Sequence, residues 1–159
     1  MSERILIPLD GSETGETALH YVENLVDKFA AGKKAEVTLL QVVKPATRQV
    51  ETRGGQSIVH VPYTEEEMKT VEERAMQYLD KVGEGLRSKG ATVNCKVLRC
   101  GSNISSAVKI IEAEEEINAD LVAMSTHGRH GLTRWAFGSV SEKVLRGGSV
   151  PVLMVRVAQ

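Results

Sequence analysis

A segment near the end of the chain has the glycine and serine content of a phosphate-binding loop. Gly128 and Gly138 are separated by nine residues, and Gly138 directly precedes a helix-like pattern that begins near Ser139. Unpaired N–H groups at a helix N-terminus attract phosphate, and glycine lets the backbone approach it. The hydroxyls of Ser139 and Ser141 would add donors. The simpler alternative is that the glycines form turns and Ser139 caps its helix.

A second polar turn follows the first apolar run of the chain. Residues 4–9 (RILIPL) have the pattern of a buried strand, and Asp10, Gly11 and Ser12 come next. Ser12 is a plausible cap for the helix that follows, and the simplest interpretation of Asp10 is a turn residue. Both polar segments follow strands. They face each other across a crevice if the first and fourth strands are neighbours.

Five strand-like runs alternate with four helical patterns along the 159 residues. This alternation predicts one α/β domain, residues 1–159, with a doubly wound parallel sheet and helices on both of its faces. The predicted strands cover 4–9, 36–43, 92–98, 121–124 and 151–157.

The segment between the second strand and the second helix breaks this pattern. Residues 44–63 are polar and contain glycine and proline, so they predict a long surface loop with a short extended piece at residues 58–61. Thr64 and Glu67 then form a capping box for the second helix, and Ser139 and Glu142 have the same spacing at the last one.

The third helix is predicted to open at Gly101–Asn103. Its acidic run is the composition of a solvated helix face. The residues expected to face inward are Ile104, Ala107, Val108 and Ile111, and those expected in solvent are Glu112, Glu114, Glu115 and Glu116.

Composition argues against several classes of protein. The formal net charge is -1, from 20 basic and 21 acidic residues, so neither nucleic acid nor an anionic membrane is an expected partner. The first residues lack the apolar core of a secretory signal, and no apolar run approaches the roughly 20 residues that span a bilayer. We therefore expect a cytoplasmic protein in which Cys95 and Cys100 are reduced thiols.

Two further groups of residues invite a chemical interpretation. His127 and His130 form an H-x-x-H pair, but no nearby cysteine completes a zinc site, so no metal site is predicted. Trp135 and Phe137 have the chemistry to stack on a base, although such residues more often anchor a loop to the core.

The sequence resembles the universal stress protein family almost from end to end. The strongest match is MSTHGRHGLTRWAFGSVSEKVLRGGSVPVLMV, supported by ILIPLDGSETGETAL near the start. ATP-binding members of this family carry a glycine, two residues, a glycine, nine residues, a glycine and a Ser or Thr. The matching positions are Ser125, Gly128, Gly138 and Ser139, so a serine stands where the family has its first glycine.

The resemblance implies strand order 3-2-1-4-5, an adenine nucleotide alpha hydrolase-like fold, and an ATP site between the first and fourth strands. Any Mg²⁺ or Mn²⁺ in this site would be held by the phosphates. The roles it implies are an adenine and ribose wall from Pro8, Leu9, Asp10, Val42 and Val43, a ribose and phosphate edge from Ser125, His127, Gly128 and Arg129, and a phosphate cradle from Gly138, Ser139, Val140 and Ser141.

Three classes of function remain open. The first is a nucleotide-holding stress or signalling module, the second is a slow ATP hydrolase, and the third is a chaperone-like dimer in which nucleotide is incidental. Binding ranks first, because no general base or carboxylate cluster stands out beside the expected phosphates. The apolar run 151–157 would lie at the edge of the sheet, and the resemblance implies a homodimer through it.

Overall fold

A computed structural model describes residues 2–29, 32–52, 54–55, 57–126 and 138–157. Seven strands and five helices lie in these ranges, and the parallel strands alternate with helices along the chain. The strands are β1 (Ser2–Leu9), β2 (Lys34–Val43), β3 (Thr47–Glu51), β4 (Ile58–Pro62), β5 (Thr92–Arg99), β6 (Leu121–Thr126) and β7 (Val152–Arg156). The helices are α1 (Glu16–Val26), α2 (Glu65–Val82), α3 (Glu84–Ser88), α4 (Ser106–Glu116) and α5 (Ser139–Gly147).

The main sheet has five parallel strands in the order β5-β2-β1-β6-β7. When β3 and β4 are left aside, this is the predicted order 3-2-1-4-5. The strand order reverses at β1: the chain first adds β2 and β5 on one side of it and then adds β6 and β7 on the other. The point between β1 and β6 is therefore the crevice where ligands bind in sheets of this type.

Helices cover both faces of this sheet, as predicted. Ile5 and Ile7 of β1 pack with α1, α2 and α3, whereas Leu6, between them, packs with α4 and α5. Successive side chains of a strand point to opposite faces, so the apolar run of β1 serves two cores.

The segment predicted as a long loop contains a β-hairpin, and its second strand, β4, lies where the short extended piece was predicted. Strands β3 and β4 pair antiparallel, with Val50 opposite Val59, and every residue of β3 is exposed. Arg48 of β3 forms an ion pair with Glu67 of α2, which ties the hairpin to the α2 N-terminus. The sequence of β3, TRQVE, has no buried face and therefore no apolar alternation to reveal it.

Several predicted helix ends are confirmed and others are corrected. The capping box of Thr64 and Glu67 is formed in both directions. The second box is absent: Gly138 is the N-cap of α5, and no described side chain caps that helix. Ser12 is not the N-cap residue of α1, which is Gly15, but its Oγ accepts from the N–H of Gly15 at 3.1 Å and so caps the turn that leads into the helix.

The third predicted helix begins later than expected, at Ser106 of α4. Its buried face carries Ala107, Ile110 and Ala113, whereas Ile104 and Val108, which were predicted to face inward, are exposed. Glu114, predicted to be solvated, is 1% exposed.

Both cysteines are free thiols, as predicted, and burial raises the pKa of Cys95. No helix within the described residues is long and apolar enough to cross a membrane.

Candidate functional site

A cleft of about 620 Å³ opens at the carboxyl ends of β1, β2 and β6. The N-termini of α4 and α5 form its other side. Its volume falls within the range that small-molecule ligands occupy. The described residues that line it are Pro8, Leu9, Asp10, Gly15, Leu40, Val42, Lys44, Ser106, Ile110, Met124, Ser125, Gly138, Ser139, Val140 and Ser141.

Most of the residues singled out from the sequence meet in this one cleft. Nine of them line it: Pro8, Leu9, Asp10, Val42, Ser125, Gly138, Ser139, Val140 and Ser141. His127, Gly128 and Arg129 lie outside the described residues. Segments separated by more than one hundred residues along the chain are thus brought to the same edge of the sheet.

Val43 is the described candidate that does not line the cleft. It is 5% exposed and packs with Met68 and Ala75 of α2, on the sheet face that α1 and α2 cover. Its neighbour Val42 packs toward α4 and α5 and lines the cleft. The two-residue period of a strand sends adjacent side chains to opposite faces, so one of this pair had to point away.

The same period identifies two lining residues that sequence reasoning missed. Leu40 and Lys44 stand two residues before and after Val42, and all three line the cleft. Lys44 is the single cation among the described lining residues. The other lining residues that were missed are Gly15, before α1, Ser106 and Ile110, one turn apart on α4, and Met124 of β6.

The N-terminus of α5 opens directly into the cleft. Gly138 is its N-cap with extended backbone (φ -61°, ψ 149°). The first N–H groups of a helix have no partner within it, so those of Ser139, Val140 and Ser141 lie at the positive end of the helix dipole. The Ser141 hydroxyl donates to the Gly138 carbonyl oxygen at 2.9 Å, which fixes the turn that presents them.

The opposite wall is the turn between β1 and α1, and it is internally bonded. Asp10 Oδ1 accepts hydrogen bonds from the N–H of Ser12 at 3.0 Å and from its hydroxyl at 2.5 Å. The N–H of Gly15 donates to Ser12 Oγ at 3.1 Å. The carboxyl group of Asp10 therefore organises its own turn, and its position at the cleft is set by that turn.

Ser125 occupies the position where the resemblance places a glycine. Its hydroxyl accepts from the N–H of Ala18 at 2.8 Å and donates to the carbonyl oxygen of Gly15 at 2.9 Å. Both partners belong to the start of α1, so this side chain is directed toward α1, on the face opposite to Met124. Replacing glycine by serine at this position consequently places the side chain away from the cleft wall formed by Met124.

The first turn of α1 has a further contact from α2. The hydroxyl of Tyr78 donates to Glu16 Oε1 at 2.8 Å. Burial, and then this bond to Glu16, raise the pKa of Tyr78 above its ordinary value. The phenol therefore stays protonated and keeps donating through the neutral pH range.

Known proteins are similar to this chain over nearly its whole length. The family model described as "Universal stress protein family" matches residues 1–156. The universal stress protein MJ0577 of Methanocaldococcus jannaschii is 31% identical, over 98% of this chain and 96% of its own length. The solved structure of MJ0577 superposes with a TM-score of 0.68, at 27% identity, over 99% of this chain and 97% of that one.

Two more distant solved structures share the fold and were determined with adenine nucleotides. A universal stress protein in complex with cAMP has a TM-score of 0.61 at 16% identity, covering 98% of each chain. The universal stress protein of Archaeoglobus fulgidus in complex with dAMP has a TM-score of 0.60 at 16% identity, covering 97% of each chain. With its family model matched from the first strand to the last, the chain described here belongs to the universal stress protein family.

Proposed function

We propose that this protein is a nucleotide-holding module whose cleft binds ATP. The observation that carries the proposal is the α5 N-terminus, which opens at Gly138 into a cleft that also has an apolar surface, including Val42 and Ile110. A nucleotide has the matching asymmetry, with a flat apolar base at one end and anionic phosphates at the other. The complexes of two relatives with cAMP and dAMP support the choice of adenine.

Each part of the cleft has a role in this proposal. The backbone N–H groups of Ser139, Val140 and Ser141 hold phosphate oxygens, with Gly138 allowing close approach. Val42 packs on the base, and Pro8, Leu9 and Asp10 border the ribose. His127, Gly128 and Arg129 are proposed at the ribose and phosphate edge on the strength of the family motif.

We further propose that the cleft stores nucleotide rather than turning it over rapidly. Asp10 is the single carboxyl group among the described lining residues, and its Oδ1 is engaged by Ser12. Phosphoryl-transfer sites ordinarily gather carboxylates around their metal ions. Turnover of ATP should stay far below ~10 per second, the typical enzyme median. Phosphate release near that rate, copurifying with the protein and lost in Gly138→Val, would place the chain among the enzymes.

The module is proposed to act in the cytoplasm as a homodimer built on β7. Among the described strands, β7 pairs with β6 and has an open second edge. Its residues Val152–Val155 are apolar and Arg156 is its single charge. An unpaired apolar edge is a site for strand addition, and a two-fold axis would pair two copies of it antiparallel.

Thermal unfolding with different ligands tests nucleotide binding. A ligand at one hundred times its Kd stabilises the folded state by about 2.7 kcal/mol, which raises the Tm of a protein of this size by roughly 5–10 °C. We expect ATP to produce such a rise, and adenosine and inorganic tripolyphosphate, which each fill one end of the cleft, to produce smaller ones. An unchanged Tm with every adenine nucleotide at millimolar concentration would overturn the proposal.

A further inference from the structure

The N-cap residue of helix α1 makes no side-chain cap bond, although Ser12 Oγ caps the turn before it by accepting from the N–H of Gly15. Its N-cap is Gly15, which has no side chain to accept from the first N–H groups of the helix. Such groups need partners when they are buried. In a helix with a side-chain cap, the side chain of the N-cap residue accepts from the second or third N–H. Ala18 holds the third helical position of α1, and it is fully buried.

Ser125 supplies this missing acceptor from a distant part of the chain. Its Oγ accepts from the Ala18 N–H at 2.8 Å across a sequence separation of 107 residues. The same hydroxyl donates to the carbonyl oxygen of Gly15, the N-cap residue itself, at 2.9 Å. The buried Ser125 hydroxyl therefore makes two bonds to α1. It accepts from the third N–H of the helix, as an N-cap side chain would, and it donates to the backbone of the N-cap residue Gly15.

These bonds continue through the wall of the cleft. The N–H of Gly15 donates to Ser12 Oγ, and the Ser12 hydroxyl donates to Asp10 Oδ1. A connected path of hydrogen bonds thus runs from Ser125 on β6, through Gly15 and Ser12, to Asp10 at the end of β1. Both ends of this path line the cleft.

We propose that Ser125 is a positioning residue, which caps α1 from β6 and thereby holds the turn between Asp10 and Gly15 in place as one wall of the nucleotide cleft. Its hydroxyl acts on the protein rather than on the ligand. The positioning role rests on the proposed nucleotide binding, whereas the cap rests on the geometry of α1 alone.

Amide hydrogen exchange tests the cap directly, without ligand. Ser125→Ala and Ser125→Gly both remove the hydroxyl and leave the N–H of Ala18 without its acceptor. We expect the Ala18 amide to exchange about tenfold faster or more in both variants by NMR, because local opening then breaks no bond to Ser125. Unchanged exchange at Ala18 in both folded variants would overturn the cap.

Thr64→Ala is the matched control for general destabilisation. It removes the side-chain cap of α2, formed with Glu67, and Thr64 does not line the cleft. Loss of a cap of this kind should lower the Tm of any of the three variants by roughly 2–4 °C. Exchange at Ala18 and nucleotide affinity should remain as in the wild type in Thr64→Ala.

A split between ligands distinguishes positioning from mere stability. The wall held by Ser125 borders the nucleoside end of the proposed site, whereas phosphate is held by α5. We expect Ser125→Ala and Ser125→Gly to weaken adenosine and ATP by a similar factor of about tenfold, and to leave the affinity for inorganic tripolyphosphate unchanged. Calorimetric titration measures all three ligands.

The outcomes separate the two claims. If both Ser125 variants kept the wild-type affinity for adenosine, the hydroxyl would have no part in binding. If Ser125→Gly bound adenosine more tightly, the side chain would act only through its size. Either result would overturn the positioning role. If the wild-type protein bound neither adenosine nor ATP, the proposed function and the positioning role would both fall. The exchange of the Ala18 amide would still decide whether Ser125 caps α1.

Discussion

Glu114 Oε1 accepts a hydrogen bond from the backbone N–H of Ser149 at 2.6 Å. The same oxygen accepts from the Ser149 hydroxyl at 3.0 Å and from the N–H of Val150 at 3.2 Å. The last turn of α4 is thereby joined to the connection between α5 and β7. A Cβ at Gly148 would lie 2.6 Å from Glu114 Oε2, so the close approach requires glycine there. The buried side chain of Glu114 therefore holds the connection between α5, the proposed phosphate site, and β7, the proposed dimer strand.

Replacing Glu114 should therefore destabilise the fold, although this residue lies in an acidic run that was predicted to be in solvent. Glu114→Ala leaves two backbone N–H groups and a hydroxyl without their acceptor, and should lower the free energy of unfolding by roughly 2–4 kcal/mol. The neighbouring exposed residue provides the control, since Glu115→Ala should change it by about 0.5 kcal/mol or less. Urea denaturation measures both, and equal effects would contradict the assigned role.

Val42 and Val43 are adjacent residues with separable effects. Val42→Ala removes two methyl groups from the cleft wall and should weaken ATP roughly five- to tenfold. Val43→Ala instead opens space beneath α2, which should cost roughly 1–3 kcal/mol of stability with ATP affinity unchanged. Titration calorimetry and urea denaturation on the two variants give the four values. If only Val43→Ala lost affinity for ATP, the nucleotide would contact the face of β2 that carries Val43, which would contradict the assignment of Val42 to the cleft.

The contact between Tyr78 and Glu16 predicts a loss of stability in alkaline solution. Burial, and then the bond to Glu16, raise the pKa of Tyr78 in the folded protein above its unfolded value of 10.0. The raised pKa means that the folded state favours the neutral phenol. Its contribution is fully present below the unfolded pKa and is lost as the pH rises from about 10 through the folded pKa.

Tyr78→Phe isolates this contribution from other groups that titrate at high pH. The wild type should be more stable than the variant by about 1 kcal/mol near pH 8. The difference should shrink in urea denaturation at a pH above about 10. A difference that grew with pH would mean that the sign of the shift is wrong.

The free edge of β7 predicts which backbone groups would form the dimer. The N–H of Val122 donates to the carbonyl oxygen of Pro151 at 3.0 Å. In a parallel ladder the bonding direction alternates along a strand, so the N–H groups of Val152 and Met154 point to the open edge. Leu153 packs against the core on the α1 side, so a charge at Leu153 would disturb the monomer as well as the proposed interface.

Met154→Pro removes one of these outward donors and leaves the ladder to β6 intact. We expect it to convert a dimer to a monomer in light scattering. Met154→Ala, which loses the same side chain but keeps the N–H, should remain a dimer. A wild-type protein that is monomeric at micromolar concentration would end the proposal of a β7 dimer.

The sequence predicted the sheet because each of its central strands is an apolar run between turn residues. Hairpin strand β3 left no such signal, since all of its side chains are in solvent. The burial of Glu114 was hidden for a different reason. Its partner Ser149 lies 35 residues away, and a glutamate next to other glutamates has the sequence pattern of a solvent-exposed helix face. Non-local hydrogen bonds of this kind become visible only in three dimensions.

In the candidate site, too, the residues with a local sequence signal were predicted and those that depend on non-local contacts were not. Asp10, Ser125 and Gly138 were found from turn chemistry and from the family motif, and the structure brings them to one cleft. Lys44 was missed because the residue type at the end of a strand does not say which face it points to. The capping role of Ser125 was missed because its partner, Ala18, lies in a different supersecondary unit.

Calorimetric titration of ATP into the wild type, Gly138→Val and Gly101→Val tests the central claim most directly. A valine at Gly138 would block the approach of phosphate to the α5 N-terminus. At Gly101, a Cβ would meet only Ile104 Cδ1, at 3.8 Å, and this glycine does not line the cleft. Saturable binding to the wild type and to Gly101→Val, weakened well over tenfold in Gly138→Val, or at least ~1.4 kcal/mol, is the predicted result. Unchanged ATP affinity in a folded Gly138→Val protein would contradict it.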